Sequence, residues 1–158
     1  MLIRKAFAQD MPRILKIYET ARSYMAANGN PTQWGTTNPP EETLWSDIRA
    51  GQLYVAECDN TIHGVFALMD GPDPTYGRID GQWHSDETYG VIHRIASSGE
   101  VRGILKCCLA FAAERHRYLR IDTHENNKTM QHLLEKFGFN RCGIIYLANG
   151  DPRIAYDR

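Results

Sequence analysis

Residues 89–138 read YGVIHRIASSGEVRGILKCCLAFAAERHRYLRIDTHENNKTMQHLLEKFG, and the rhythm of this stretch decides the fold. YGVIHRIAS has the composition of a strand. The turn SGEVRG then leads into RGILKCCLAFAAERH, whose Ile104, Leu105, Cys108, Leu109 and Ala112 make one helical stripe. YLRIDTH returns to strand and NNKTMQHLLEKF to helix, with Gly138 placed to end it. A β-α-β-α series forces neighbouring parallel strands with helices packed on the sheet, so the prediction is an α/β domain around a mixed sheet.

The flanks add antiparallel pieces. LIRKAF alternates as a half-buried strand, and Asp10 stands at the N-cap of a first helix with Pro12 in its first turn. That helix carries Met11, Ile14, Leu15, Tyr18, Ala21 and Met25 on one stripe and ends at Asn28 and Gly29. NPTQWGTTNPP is a loop, and Glu41 to Ala50 a short helix stopped by Gly51. LYVAEC and TIHGVFALMD, joined by Asp59-Asn60, make a hairpin; CGIIYL and PRIAYD, joined around Asn149-Gly150, make another. Between these hairpins GPDPTYGRIDGQWHSDETYG is too long for a plain connection and reads as a functional loop.

Composition bounds the function. With 158 residues and 42% hydrophobic side chains, one domain spanning 1–158 buries enough core to fold without a metal or a disulfide. The balance of 18 Lys plus Arg against 19 Asp plus Glu supplies no field for gathering nucleic acid or anionic lipid. No apolar run approaches the roughly 20 residues of a membrane span, and MLIRKAFAQDMP lacks the features of a signal peptide. Cys58, Cys107, Cys108 and Cys142 have neither zinc nor redox spacing and read as free thiols, so a cytoplasmic protein is expected.

The first chemical signal is the turn into the second half's first helix. A helix start presents unsatisfied N–H groups and partial positive charge, so Arg102, Gly103, Ile104, Leu105 and Lys106 form a candidate cradle for a diphosphate, with Gly103 allowing close approach. An ordinary tight turn accounts for the same residues.

The order of elements, the turn-to-helix segment RGILK, and Asn127 followed eleven residues later by Gly138-Phe139 resemble the GCN5-related N-acetyltransferases, the GNAT family, over essentially the whole chain. GVIHRIAS, RIDTH and CGIIYL look like a branch of small bacterial members with no characterised acceptor. The resemblance implies about seven strands and four helices, with the sheet splayed between the fourth and fifth strands. It further implies acetyl-CoA as co-substrate and direct attack by an acceptor amine, of a small molecule or a peptide, in a ternary complex; it also allows a homodimer. Ile95, Ala96 and Ser97 would meet the pantetheine amides like an added strand, and Asn127 would belong to the coenzyme A site. The family's diphosphate pattern lands on Glu100 to Leu105 and matches only at Gly103. Its usual tyrosine, proposed to protonate the departing thiolate, is Leu134 here. These departures favour a rival reading, a non-catalytic module that binds or senses acyl-CoA.

Transfer to an amine near pKa 10 needs a proton acceptor, and histidine matches neutral pH best. His93 lies on the fourth predicted strand and Asp122 and His124 on the fifth, so the three are the candidate catalytic residues. Alternation sets His93 with Val91 and Ile95 on one face and Arg94 with Ile92 on the other. The plainer alternative pairs Arg94 with Asp122 and leaves both histidines as core or cap residues. Gln33, Trp34, Tyr76, Trp83 and His84 are the loop candidates for contacting the acceptor, although each also fits a loop anchor. Met130 and Phe137 read as core. No metal is expected, since the best set, His84, Asp86 and His93, lacks ligand spacing. Neither is a cysteine nucleophile, because Cys107 and Cys108 point about 100° apart on their helix.

Overall fold

The computed structural model describes residues 1–158. Its strands are β1 (Leu2–Lys5), β2 (Leu53–Cys58), β3 (Thr61–Asp70), β4 (Asp80–Gly81), β5 (Gly90–Ser97), β6 (Leu119–Thr123), β7 (Asn140–Tyr146) and β8 (Pro152–Asp157). The helices are α1 (Met11–Ala27), α2 (Glu41–Arg49), α3 (Ile104–Arg115) and α4 (Lys128–Lys136). One sheet in the order β1-β2-β3-β5-β6-β8-β7-β4 holds all eight strands. Every pairing is antiparallel except β5 with β6, as the crossover through α3 requires.

β3 shows how the layers form. Val65 and Ala67 face α1 and α2 in a core with Ile14, Ile17, Tyr18 and Leu44. Phe66 faces the other side, with Cys108, Leu109 and Leu134 of α3 and α4. At Gly64 an added Cβ would collide with Ile104, so the glycine lets the start of α3 settle onto the sheet. Beyond α1 and α2, the same face is closed by loop 71–89. There Tyr76 packs with Val91, Ile145 and Ala155, and the loop adds the two-residue strand β4, which pairs with β7. The predicted loop thus contains an eighth strand, too short to leave an alternation in the sequence.

The decisive irregularity sits in β5. Its pairing with β3 jumps from Ala67↔His93 to Val65↔Ala96, leaving Arg94 and Ile95 opposite Phe66 in a bulge, and Arg94 has φ +53°. The bulge breaks the expected alternation. Ile95 packs with the α3/α4 core, away from the face of His93. The Arg94 guanidinium forks onto Asp47 of α2 at 2.9 and 3.0 Å rather than onto Asp122. Tyr18 donates its hydroxyl to the Arg94 carbonyl at 2.6 Å. β5 and β6 are therefore paired only at Gly90↔Leu119 and Val91↔Arg120, and from there they diverge.

Elsewhere the differences from expectation are small. Asp10 occupies the α1 cap position but makes no capping bond to the helix; its carboxylate accepts from Phe7 N and pairs with Arg4. All four cysteines are free. No helix is long and apolar enough to cross a membrane.

Candidate active site

Where β5 and β6 part, a cavity of about 400 Å³ opens on the α1/α2 face, lined by Gln33, Trp34, His93, Asp122, Asn127 and Arg153 among others. Ile95, Asn127 and Met130 also line a second, more apolar groove of about 300 Å³, which continues past Ala96, Ser97 and Gly99 between α1 and α4. The two spaces meet at those shared residues. Met130, expected in the core, is half-buried at this junction; Phe137 is partly buried against the α3/α4 core.

His93 is oriented by a residue that sequence reasoning passed over. Its Nε2 lies 2.7 Å from Asp73 Oδ2, while Nδ1 has no protein partner, so the bond to Asp73 fixes the Nε2–H tautomer and leaves the Nδ1 lone pair free. Asp73 is itself fixed: its Oδ1 accepts from Thr75 N at 2.9 Å and Thr75 Oγ1 at 2.7 Å, the cap of a 3₁₀ turn at Pro74–Tyr76. Burial alone would raise the Asp73 carboxyl, but the bonds from His93 and Thr75 outweigh it and hold it at about 2. Because this folded value lies below the unfolded one near 3.9, Asp73 stabilises the fold above pH 4, and that contribution fades as pH falls toward 2. Asp73→Asn should accordingly cost about 2 kcal/mol at pH 7 and almost nothing near pH 2. Denaturant titrations of both proteins across this range check it; a constant gap would show that the carboxylate charge is not what matters.

Asp122 shares the cavity with His93, as the neighbouring-strand argument expects. Burial raises its carboxyl, with His93 when protonated, the Tyr76 hydroxyl and the Arg153 charge pulling the other way. Tyr76 Oη donates to Asp122 Oδ2 at 2.6 Å. That tyrosine is 2% exposed and lies behind His93, with ring centroids 6.1 Å apart, so it supports the site without lining the cavity. His124 differs from His93: its Nδ1 accepts from Asn126 N at 3.0 Å, and Nε2 faces Thr32 Oγ1 at 3.4 Å. Burial and the nearby Arg153 charge hold its pKa down. Its basic nitrogen is thus engaged in capping the turn before α4.

Of the loop candidates, Gln33 and Trp34 line the cavity. Gln33 Oε1 accepts from Asn127 Nδ2 at 3.0 Å and from Asn30 Nδ2 at 2.8 Å. Asn127 in turn caps α4 through Oδ1 to Met130 N at 3.0 Å. Trp83 and His84 lie elsewhere. Trp83 packs tilted against Tyr76 and under the Arg120 guanidinium, and His84 Nδ1 is 2.7 Å from Asp157 Oδ1 at the opposite end of β6. His84 and His93 hence have different partners and do not form the weak metal set considered above with Asp86.

On the β6 side, β5 has no ladder partner beyond Val91, so the backbone groups of Ile95 to Ser97 border the groove with that edge unpaired. Gly103 has φ +83°, a conformation glycine adopts without a steric penalty, and nothing lies within 4 Å of where its Cβ would be. The N–H groups of Ile104, Leu105 and Lys106 start α3 with no side-chain cap, and Arg102 and Lys106 are exposed beside them. Glu100, whose charge would oppose a phosphate, is drawn aside: its Oε2 lies 3.1 Å from both Arg13 Nη2 and His63 Nδ1. Leu134 is fully buried in the α3/α4 core and offers the site nothing.

This groove and cavity sit in a fold found widely among solved structures. The chain aligns over 99% of its length, and 94% of the other's, with a GNAT-family acetyltransferase from Streptococcus agalactiae at 33% identity and a TM-score of 0.90. A GNAT-family acetyltransferase from Listeria monocytogenes shares the fold at 21% identity, with coverage of 99% and 93% and a TM-score of 0.72. So does a phosphinothricin acetyltransferase from Sinorhizobium meliloti solved with AcCoA, at 20% identity, coverage of 99% and 86%, and a TM-score of 0.66. No curated protein matches. The family model for the acetyltransferase (GNAT) family matches residues 11–139, a span that includes the bulge in β5, the α3 start and the Asn127 cap: the chain belongs to the GNAT acetyltransferase family.

Proposed function

We propose that this acyltransferase moves the acetyl group of acetyl-CoA directly onto an amine, with His93 as the base. The observation that carries the reading is that His93, which lines the cavity, is held by Asp73 through Nε2 and keeps Nδ1 without a protein partner. The groove would take the pantetheine arm along Ile95 to Ser97, and the α3 start with Gly103 would take the diphosphate. An acceptor ammonium in the cavity first gives a proton to His93 Nδ1, which passes it to solvent; the freed nitrogen lone pair then attacks the thioester carbonyl while the same Nδ1 takes the second nitrogen proton. The C–N bond forms and the C–S bond breaks. Asp73 stabilises the imidazolium, and the thiolate, whose conjugate acid has a pKa near 8.5, leaves and takes a proton from water, so no tyrosine is needed at Leu134. The four free thiols support a reducing, cytoplasmic setting.

Acetyl-CoA should raise the melting temperature, because ligand at 100 times its dissociation constant adds about 2.7 kcal/mol. In the presence of acceptor amines it should also release free thiol. The fully buried Leu134 keeps the binding-module reading as the rival, and that reading gives thermal protection with no amine-dependent thiol. No shift at millimolar acetyl-CoA would remove both.

A further inference from the structure

One buried charge in the cavity is left without a partner. Arg153, on β8, is 7% exposed and lines the cavity, yet its side chain makes one hydrogen bond, Nη1 to the carbonyl of Pro152 at 2.8 Å. No carboxylate lies within ion-pairing distance. Three other arginines drawn partly or wholly out of water are satisfied by the protein. Arg94 has Asp47, and Arg4 has Asp10 and Glu57. Arg120 lies 4.1 and 4.0 Å from the ring centroids of Trp83 and Tyr89 and donates to Ser85 O at 3.0 Å. A guanidinium largely withdrawn from bulk water, with one protein acceptor and its remaining donors open to the cavity, gains most when an anion reaches it.

The position of Arg153 relative to the reacting groups says which anion. Ala155 pairs with Asp122 and Ile154 with Thr123, so alternation along β8 puts Arg153 on the face of Asp122, just past the end of β6. His93 is on that face too. The acids of the cavity do not bond Arg153: Asp73 holds His93, and Asp122, which feels the Arg153 charge only from beyond ion-pairing distance, accepts from Tyr76. The exposed Asp151 bonds within its own turn. The Thr123 hydroxyl, on a fully buried residue of the cavity wall, has no partner either. The site therefore offers a proton acceptor and carboxylates and, farther along the same face, a planar cation with donors to spare, within a space of about 400 Å³.

Building on the acetyl-transfer reading, we propose that the acceptor is a small amino acid-like molecule, its amine at His93 and Asp122 and its carboxylate held by the Arg153 fork. The neutral cavity residues Trp34 and Gln33 then meet the rest of the acceptor.

The test is thiol release by the full-length protein at saturating acetyl-CoA, with matched triads of acceptors: L-amino acids, their carboxamides, and the corresponding decarboxylated amines. The free acids should lead by about 10²-fold in kcat/KM, mostly through KM. Arg153→Gln should shrink that lead to about threefold or less, and Arg153→Lys, keeping the charge without the fork, should restore part of it. Equal rates across the triads in the unmutated protein would overturn this inference while acetyl transfer stands, and this arm needs no variant to fold. A lead that persists in a folded Arg153→Gln protein would also overturn it. Absence of thiol release with every amine would remove the transfer reading itself, and this inference with it.

Discussion

His93→Gln should lower turnover at pH 7 by about 10²–10⁴ while leaving acetyl-CoA affinity within a few-fold. Glutamine keeps the size and one hydrogen bond to Asp73 but has no nitrogen that takes a proton near neutral pH. The acid limb of the pH–rate profile, set in the unmutated protein by deprotonation of the base, should vanish or move. Activity should recover in part as pH approaches the pKa of the amine, where the acceptor arrives neutral. His124→Gln makes the comparison sharp. Its Nδ1 already accepts from Asn126 N, so replacing it should loosen the turn before α4 and leave the profile's shape unchanged. Asp73→Asn should fall between them, since it keeps a hydrogen-bonding group next to Nε2 but no longer stabilises the imidazolium. If the His93→Gln protein stays folded and turns over within a few-fold of the original from pH 6 to 9, His93 is not the base.

What the sequence shows of this site, and what it hides, divides by range. The β-α-β-α rhythm, both hairpins and the α3 start rest on periods of a few residues, and each is found within a residue or two of its predicted place. His93 and Asp122 are found in one cavity because adjacent parallel strands bring them together. Asp73 went unseen because its partner is 20 residues away. The available signal was Asp-Pro-Thr, a carboxylate with a turn cap of its own standing in a loop that reads as functional. Arg153 had a signal too. In PRIAYD it shares a face with Ala155 in a strand that is otherwise buried, and a charge on such a face asks for a partner. The bulge at Arg94 left no local mark, since nothing in IHRIAS distinguishes a residue with positive φ. The partner of its side chain lies 47 residues away in Asp47.

That pair carries the second large effect. Asp47 is a 4% exposed carboxylate against the 21% exposed side chain of Arg94, and its Oδ1 also accepts from Gln52 Nε2 at 3.0 Å. Asp47→Ala would leave the guanidinium mostly buried and unpaired, which costs about 3 kcal/mol, the lower end of the range for broken buried pairs given the partial exposure of Arg94. In a chain of this size that is a fall of about 6–12 °C in melting temperature. The functional consequence follows from the backbone. A non-glycine residue at φ +53° holds a strained conformation costing about 1–3 kcal/mol, kept only because its surroundings impose it. Here the surroundings are the Asp47 fork and the Tyr18 hydroxyl on the Arg94 carbonyl. With the fork gone, β5 can relax toward regular pairing and narrow the gap from β6 that forms the cavity. Asp47→Ala should therefore lose thermal protection by acetyl-CoA beyond its loss of intrinsic stability, whereas Asp47→Asn, which still accepts from the guanidinium, should keep most of that protection. Melting curves of the three proteins with and without acetyl-CoA separate the effects. An Ala variant that melts lower yet gains the same increment from the ligand would mean that the bulge stands without Asp47, and that the pair serves stability alone.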